Sequence, residues 1–199
     1  MTEKEKMLAG LVYKSFDEEL SGERIKAKKL VHELNKLEPD EYEKRRELFL
    51  LLLGKTDGDF WIETPFRCDY GYNISIGKNF YANFNCTILD CAPIVIGDNV
   101  MFAPNVGLFA AGHPVHHEPR NAGIEYGKPI TIGNNVWLCA GVIVNPGVEI
   151  GADTVIASGS VVTKNIPGGV VAGGNPCRVL RSITGEDKNY FFRREPIET

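Results

Sequence analysis

The sequence predicts a mainly β chain: a parallel β-helix of hexapeptide repeats, with an N-terminal helical segment and one protruding loop. Three observations carry this reading. After Gly54 the composition changes sharply, from charged helical patterning to β-branched residues, Gly and Asn. A short signature then recurs, IGKN at Ile76, IGDN at Ile96, IGNN at Ile132 and IGAD at Ile150. Between these anchors an aliphatic or small residue returns every sixth position, as in Ile132, Leu138, Val144, Ile150, Ile156 and Val162. Ile96, Phe102 and Leu108 make a second series, and Ile76, Ala82 and Ile88 a third.

A period of six fits neither an amphipathic helix nor a simple strand alternation. Each hexapeptide supplies one short strand and one turn. The aliphatic residue points inward, and the Gly or Asn beside it is expected to take the φ > 0 conformation of the turn. Three such sides make a coil, and coils stack through parallel strand pairing at ~4.8 Å.

Residues 1–55 read as the helical segment. From Asp17, Ala27, Leu30, Val31, Leu34 and Leu37 fall on one stripe, with Lys, Arg and Glu opposite. A second helix is expected after Pro39, with Asp40 and Glu43 as a capping box and Gly54 as its stop. The β-helix is expected over 56–183. Residues 184–199, with the aromatic NYFFRRE, are expected to pack back on the domain.

Between Leu108 and Ile132 the register breaks. The insertion GHPVHHEPRNAGIEYGKP has three prolines, both charge signs and no inward periodicity, so it leaves the prism as a loop over 112–129. Loops on rigid scaffolds often carry function, and this one holds three of the four histidines. His113 follows Gly112 where the chain leaves the coil, so its backbone is held more firmly than that of His116 or His117. The latter two read as support for the loop. No Cys or carboxylate pattern completes a zinc site around them, so no metal is expected.

Bulk properties bound the function. A net charge of −4 and a pI near 5.6 argue against a nucleic-acid partner. FLLLLG is too short to span a membrane, and the charged start MTEKEKMLAG has no apolar signal core. Five cysteines without CxxC spacing read as reduced thiols of a cytoplasmic protein.

The stretches NISIGKNFYANFNCTILD, APNVGLFAAGHPVHHEPR, EYGKPITIGNNVW, NPGVEIGADTVIASGSVVTKNIP and GNPCRVLR resemble the galactoside and maltose O-acetyltransferases, and the MLAG segment resembles the same family's N-terminus. The resemblance implies a left-handed β-helix, a homotrimer with sites between subunits, and acetyl-CoA-dependent O-acetylation of a sugar hydroxyl. It places the general base at His113. A neutral imidazole suits that task, since its unperturbed pKa of ~6.5 lies near working pH. Glu125, at the end of the same loop, either orients the imidazole or is a solvated acid. Asn83 reads as a turn asparagine or as an amide donor to an oxyanion or sugar oxygen. The residues leave Asn83 and Asn85 open, and the resemblance picks Asn83. It also implies acceptor contacts for Asp69, Tyr81 and Asn83.

For acetyl-CoA, small Ala140 and Ser158 leave room for an extended pantetheine arm. Trp137 lines its channel or fills a subunit interface. Thr163, Lys164, Arg178 and Arg181, near the last coil, are the phosphate candidates. Two departures bear on the acceptor: Cys91 stands where galactoside-type members carry an acid, and Ser15 stands at an N-terminal acid position, with Asp17 two residues on. The alternatives are the same chemistry on serine or an antibiotic hydroxyl, a metal-dependent enzyme of carbonic anhydrase type, and a noncatalytic scaffold.

Overall fold

The computed structural model describes residues 1–191 and 194–197. Phe192, Arg193, Glu198 and Thr199, part of the tail expected to pack on the domain, lie outside the described residues; Tyr190 and Phe191 are exposed on the single chain.

The parallel β-helix forms as the repeats require. Face I stacks Lys55–Thr56, Ile74–Ile76, Ile94–Ile96, Ile130–Ile132 and Glu149–Ile150. Face II stacks Phe60–Ile62, Phe80–Ala82, Met101–Phe102, Trp137–Leu138, Val155–Ile156 and Val170–Gly173, and Arg178–Ser182 adds to it antiparallel. Face III stacks Phe66–Cys68, Cys86–Leu89, Gly107–Phe109, Ile143–Val144 and Val161–Val162. The chain visits the faces in the order I, II, III. All members of the three sixfold series, from Ile76 to Val162, are buried in the prism interior.

The turn chemistry differs from the expectation. The left-handed conformation falls on Asn79, Asn99, Asn135 and Asp153, three residues beyond each Ile anchor, and not on the glycine beside it. Their side chains form a ladder: Asn79 Nδ2 donates to Asn99 Oδ1 at 2.9 Å, Asn99 to Asn135 at 3.0 Å, and Asn135 to Asp153 at 2.8 Å. The anchoring glycines answer a steric need. A Cβ on Gly97 would lie 2.3 Å from Asn134 Oδ1, and one on Gly133 would lie 2.5 Å from the Ala152 backbone nitrogen. Coil stacking leaves no space for a side chain there.

Three helices cap the open end. α1 (Glu3–Leu8) carries a complete capping box between Thr2 and Glu5. α2 (Glu18–Leu34) starts at Asp17, whose carboxylate accepts from the Glu19 and Leu20 N–H groups, and buries Leu20, Ala27, Val31 and Leu34. α3 (Tyr42–Leu52) has Glu41 at its N-cap with no side-chain cap bond, so the box expected at Asp40 does not form. Glu41 bonds the Glu38 N–H instead. Gly54 serves close packing: a Cβ there would lie 2.0 Å from the Tyr72 carbonyl oxygen. Among the described residues no helix is long and apolar enough to cross a membrane.

The loop departs after Ala110 and returns at Lys128, whose N–H bonds the Ala110 carbonyl. Its arms, Ala111–Gly112 and Ile124–Gly127, pair antiparallel, and α4 (His117–Asn121) spans the tip. A strand at Tyr13–Lys14 adds to the outer arm, pairing Tyr13 with Glu125. That strand ties the helical cap to the loop, and nothing in the repeat pattern announces it.

Candidate functional site

A cleft of about 410 Å³ opens at the corner where face III turns toward face I, lined by Ser15, Arg24, Asp69, Tyr70, His113 and Glu125, among others. Five elements meet here. Asp69 and Tyr70 follow the Phe66–Cys68 strand, His113 and Glu125 sit on the two loop arms, Ser15 follows the Tyr13–Lys14 strand, and Arg24 reaches in from α2.

His113 is oriented by the loop backbone. Its Nδ1 lies 3.1 Å from the Ile124 carbonyl oxygen. A carbonyl only accepts, so in the neutral ring the proton sits on Nδ1 and the lone pair on Nε2. Nε2 stands 3.8 Å from Glu125 Oε2, too far for a hydrogen bond. The expected pairing of Glu125 with the orienting nitrogen is therefore taken by Ile124, and Glu125 faces the basic nitrogen instead. Its other oxygen, Oε1, accepts the hydroxyl of Tyr13, which is fully buried.

The polar wall is mutually braced. Arg24 donates to the Tyr70 hydroxyl at 2.6 Å, to the Ser15 carbonyl at 2.5 Å and to the Ser21 hydroxyl at 3.1 Å. Burial pushes the Asp69 carboxyl above its ordinary range, the charge of Glu125 adds to this, and Arg24 works against it. Beneath, buried Asp90 accepts from the backbone N–H groups of Asp69 at 3.1 Å, Tyr70 at 2.8 Å and Asn73 at 3.3 Å, fixing the turn that presents Asp69. Burial, offset in part by these bonds, raises Asp90 to about 6.

His116 and His117 hold the loop tip. Their rings stack with centroids 4.6 Å apart, and His116 Nδ1 accepts the Glu118 N–H at the start of α4. Arg120 closes the turn through the Val115 carbonyl at 2.8 Å. Among the described residues no group of three or more His, Cys, Asp and Glu is arranged to hold a metal ion.

Tyr81 and Asn83 stand elsewhere. Tyr81 lies on face II, and Asn83 begins the corner from face II to face III, whereas His113 leaves the opposite end of face III. Six extended residues separate the two corners of one coil, on the order of 15–20 Å. Within one chain, Asn83 and His113 do not meet. Asn83 is not the left-handed turn residue, a role that falls to Asn85. Its Oδ1 accepts the Phe84 N–H at 2.7 Å, which turns the amide NH₂ outward as a donor.

The residues expected to hold acetyl-CoA continue from Asn83. Strand registry stacks Asn83, Ala103, Cys139, Ala157 and Gly173 in one corner column, with Ala140 and Ser158 in the next. Trp137 is half-exposed on face II, in register with Met101 and Val155. Thr163 and Lys164 follow the last strand of face III, and the Cys177 N–H bonds the Val161 carbonyl, bringing Arg178 to the same coil. Arg181 is engaged by Asp187 through two bonds of 2.7 and 2.9 Å.

Sequence reasoning missed Arg24, Tyr70 and Tyr13. Arg24 reads as part of the solvated face of α2, and Tyr13 lies outside both the helical stripe and the hexapeptide register. Ser15 lines the cleft, whereas Asp17 is spent on capping α2.

Comparison with known proteins agrees with this architecture. Residues 6–58 match the maltose acetyltransferase hexapeptide capping motif, and residues 129–164 match the bacterial transferase hexapeptide, six repeats. The chain is 49% identical to the galactoside O-acetyltransferase of Escherichia coli K12 over 98% of its own length and 96% of that protein's. Its structure is similar to that of a maltose O-acetyltransferase from Clostridium difficile 630, with 53% identity, a TM-score of 0.90, and 92% and 98% of the two chains covered. It is also similar to a galactoside acetyltransferase solved in complex with coenzyme A, with 48% identity, a TM-score of 0.96 and full coverage of both chains. On this agreement of motif, identity, coverage and fold, the chain belongs to the hexapeptide-repeat acetyltransferases of the galactoside and maltose O-acetyltransferase family.

Proposed function

We propose that the protein transfers the acetyl group of acetyl-CoA directly to a hydroxyl of a sugar of the maltose, glucose or galactoside class, working as a cytoplasmic homotrimer. The observation that carries this reading is the setting of His113. Its Nδ1 is committed to a carbonyl, and its Nε2 is left for a donor entering the cleft beside Asp69 and Glu125.

In this reading the sugar hydroxyl gives its proton to Nε2 as its oxygen attacks the thioester carbonyl. The C–S bond breaks, and the imidazolium returns the proton to the thiolate. A base so placed contributes on the order of 10²–10⁴ in rate. Asp69 accepts a second sugar hydroxyl, and its immobilised turn pre-organises that contact. The Asn83 amide donates to the oxyanion.

The small residues of the corner column and of the column beside it, which holds Ala140 and Ser158, fit an extended pantetheine arm, and Lys164, Thr163 and Arg178 surround its far end. Arg181 joins them only by releasing Asp187. The separation of Asn83 from His113 within one chain favours the trimer, since a neighbouring subunit would bring its own Asn83 corner, with Tyr81 and Trp137, against the loop. The face II column of half-buried Tyr81 with exposed Met101 and Trp137 suits such an interface.

Direct transfer is favoured over an acetyl-cysteine because burial pushes the thiols away from ionisation: Cys86 to about 11 and Cys91 to about 12, with Cys139 also raised. The five cysteines are all unpaired, which suits a reducing compartment. The test is CoA-thiol release from acetyl-CoA with and without glucose, maltose, galactosides and serine. Sugar-dependent release is expected. Release driven by serine alone, or by no acceptor in the panel, overturns the sugar assignment.

A further inference from the structure

A second cavity, of about 200 Å³, lies between α3 and the first strand of face II, away from the His113 cleft. Its walls are aromatic. Tyr42 and Trp61 stand with ring centroids 5.3 Å apart, both partly exposed, and the Arg45 guanidinium lies 5.2 Å over the Trp61 ring. Glu63 fixes both neighbours, accepting the Trp61 indole N–H at 2.8 Å and lying 3.4 Å from Arg45 Nη1.

Arg45 is the unusual member. Its side chain is 7% exposed, Nη2 is taken by the Pro39 carbonyl at 3.3 Å, and its buried Nε has no hydrogen-bond partner among the described residues. An orphaned buried donor carries a desolvation cost unless an acceptor completes it. The pocket therefore pairs an aromatic platform with an unused N–H donor. Arg45 is paired with Glu63 and Arg46 with Asp59, and Glu43 adds a negative charge on the lining itself, so the site suits a neutral, oxygen-rich ligand better than an anion. A pyranose ring has that chemistry: an apolar C–H face to lie on the indole and hydroxyl oxygens to accept from Arg45.

Position supplies the ligand's context. Trp61 is in register with Tyr81 on the adjacent strand, one spacing of ~4.8 Å away. Tyr81 is a residue for which the family resemblance implies an acceptor contact. We propose that Tyr42, Arg45 and Trp61 form an outer saccharide subsite. It takes a further pyranose unit of an oligosaccharide acceptor whose terminal sugar is acetylated, and so favours short glucose oligomers over free glucose. The assignment rests on the sugar-acceptor reading of the main site.

Steady-state acetyl transfer to glucose and to maltotriose tests it, comparing the unmodified protein with Trp61→Ala and Tyr42→Ala. Both side chains are exposed enough to be removed without emptying the core. The expected result is a KM for maltotriose raised about 5- to 10-fold, as befits loss of an aromatic contact, with kcat and KM for glucose unchanged. Equal effects on both acceptors, or none on either, overturn the subsite. Saturation-transfer NMR with maltotriose keeps the question separate from catalysis. Signal that is present with the unmodified protein and lost in Trp61→Ala supports the subsite even if no sugar is acetylated; equal signal in both overturns it. Absence of sugar acetylation bears instead on the main-site reading.

Discussion

Tyr13 and Glu125 are joined twice: they are register partners in the antiparallel pair between the N-terminal strand and the loop, and the Tyr13 hydroxyl donates to Glu125 Oε1. The second carboxylate oxygen stands 3.8 Å from His113 Nε2. The helical cap thus reaches the proposed base through one buried phenol and one carboxylate. Tyr13→Phe keeps the packing and removes only the donor, so kcat is expected to fall several-fold with the melting temperature nearly unchanged. Glu125→Gln is expected to lose a similar amount, and the double variant no more than either single one. Additive losses in that cycle would show the two residues acting independently.

His113→Ala is expected to fold and assemble normally while losing on the order of 10²–10⁴ in turnover. Asn83→Asp keeps the acceptor for the Phe84 N–H and removes the outward amide donor, so about 10² or more in kcat should be lost.

Because these two side chains do not meet within a chain, the two inactive variants offer a test of shared sites. Mixed, unfolded and reassembled together, His113→Ala and Asn83→Asp chains should regain a fraction of activity, from interfaces that combine an intact His113 with an intact Asn83. Mixtures as inactive as their parents would place both residues in one chain's own site or remove one of them from it.

Asp90 predicts a pH dependence of stability. Its folded-state pKa is raised to about 6, above the ordinary carboxylate value, chiefly by burial. Folding then takes up a proton, so this contribution is fully present below about pH 4 and is lost as pH rises through about 6. Asp90→Asn forfeits the bond to the Asn73 N–H but also the titration. The gap in urea midpoint between the unmodified protein and the variant should therefore narrow from pH 4 to pH 7. A gap that widens over that interval contradicts the assignment.

The surroundings of two glycines, one between stacked coils and one in a helix, make equally specific forecasts. Gly133→Ala places a Cβ 2.5 Å from the Ala152 backbone nitrogen and should cost about 1–3 kcal/mol, read as a lower melting temperature. Gly22→Ala, inside α2 with nothing within 4 Å of the new methyl, should instead stabilise by about 0.5–1 kcal/mol.

The sequence by itself determined the prism. A sixfold repeat of inward residues has one economical solution, and every member from Ile76 to Val162 lies where the period puts it. It also marked the loop, because the inward aliphatic periodicity lapses between Leu108 and Ile132, where the sixfold positions hold Pro114, Arg120 and Tyr126, and it singled out His113 within that loop. Burial is periodic, and periodicity is written locally. What the tertiary structure decided is the set of contacts between segments distant in sequence and outside the repeat. Tyr13 finds Glu125 across 112 residues, Arg24 finds Tyr70 across 46, and Asp90 holds the turn of Asp69 from the next coil. Such pairs leave no periodic trace, since each is made once, by side chains whose local patterns would serve equally well in water. The same holds for the turns: the Asn79–Asn99–Asn135–Asp153 ladder and the crowding at Gly97 and Gly133 exist only once coils are stacked, because each position meets its partner only in the neighbouring coil.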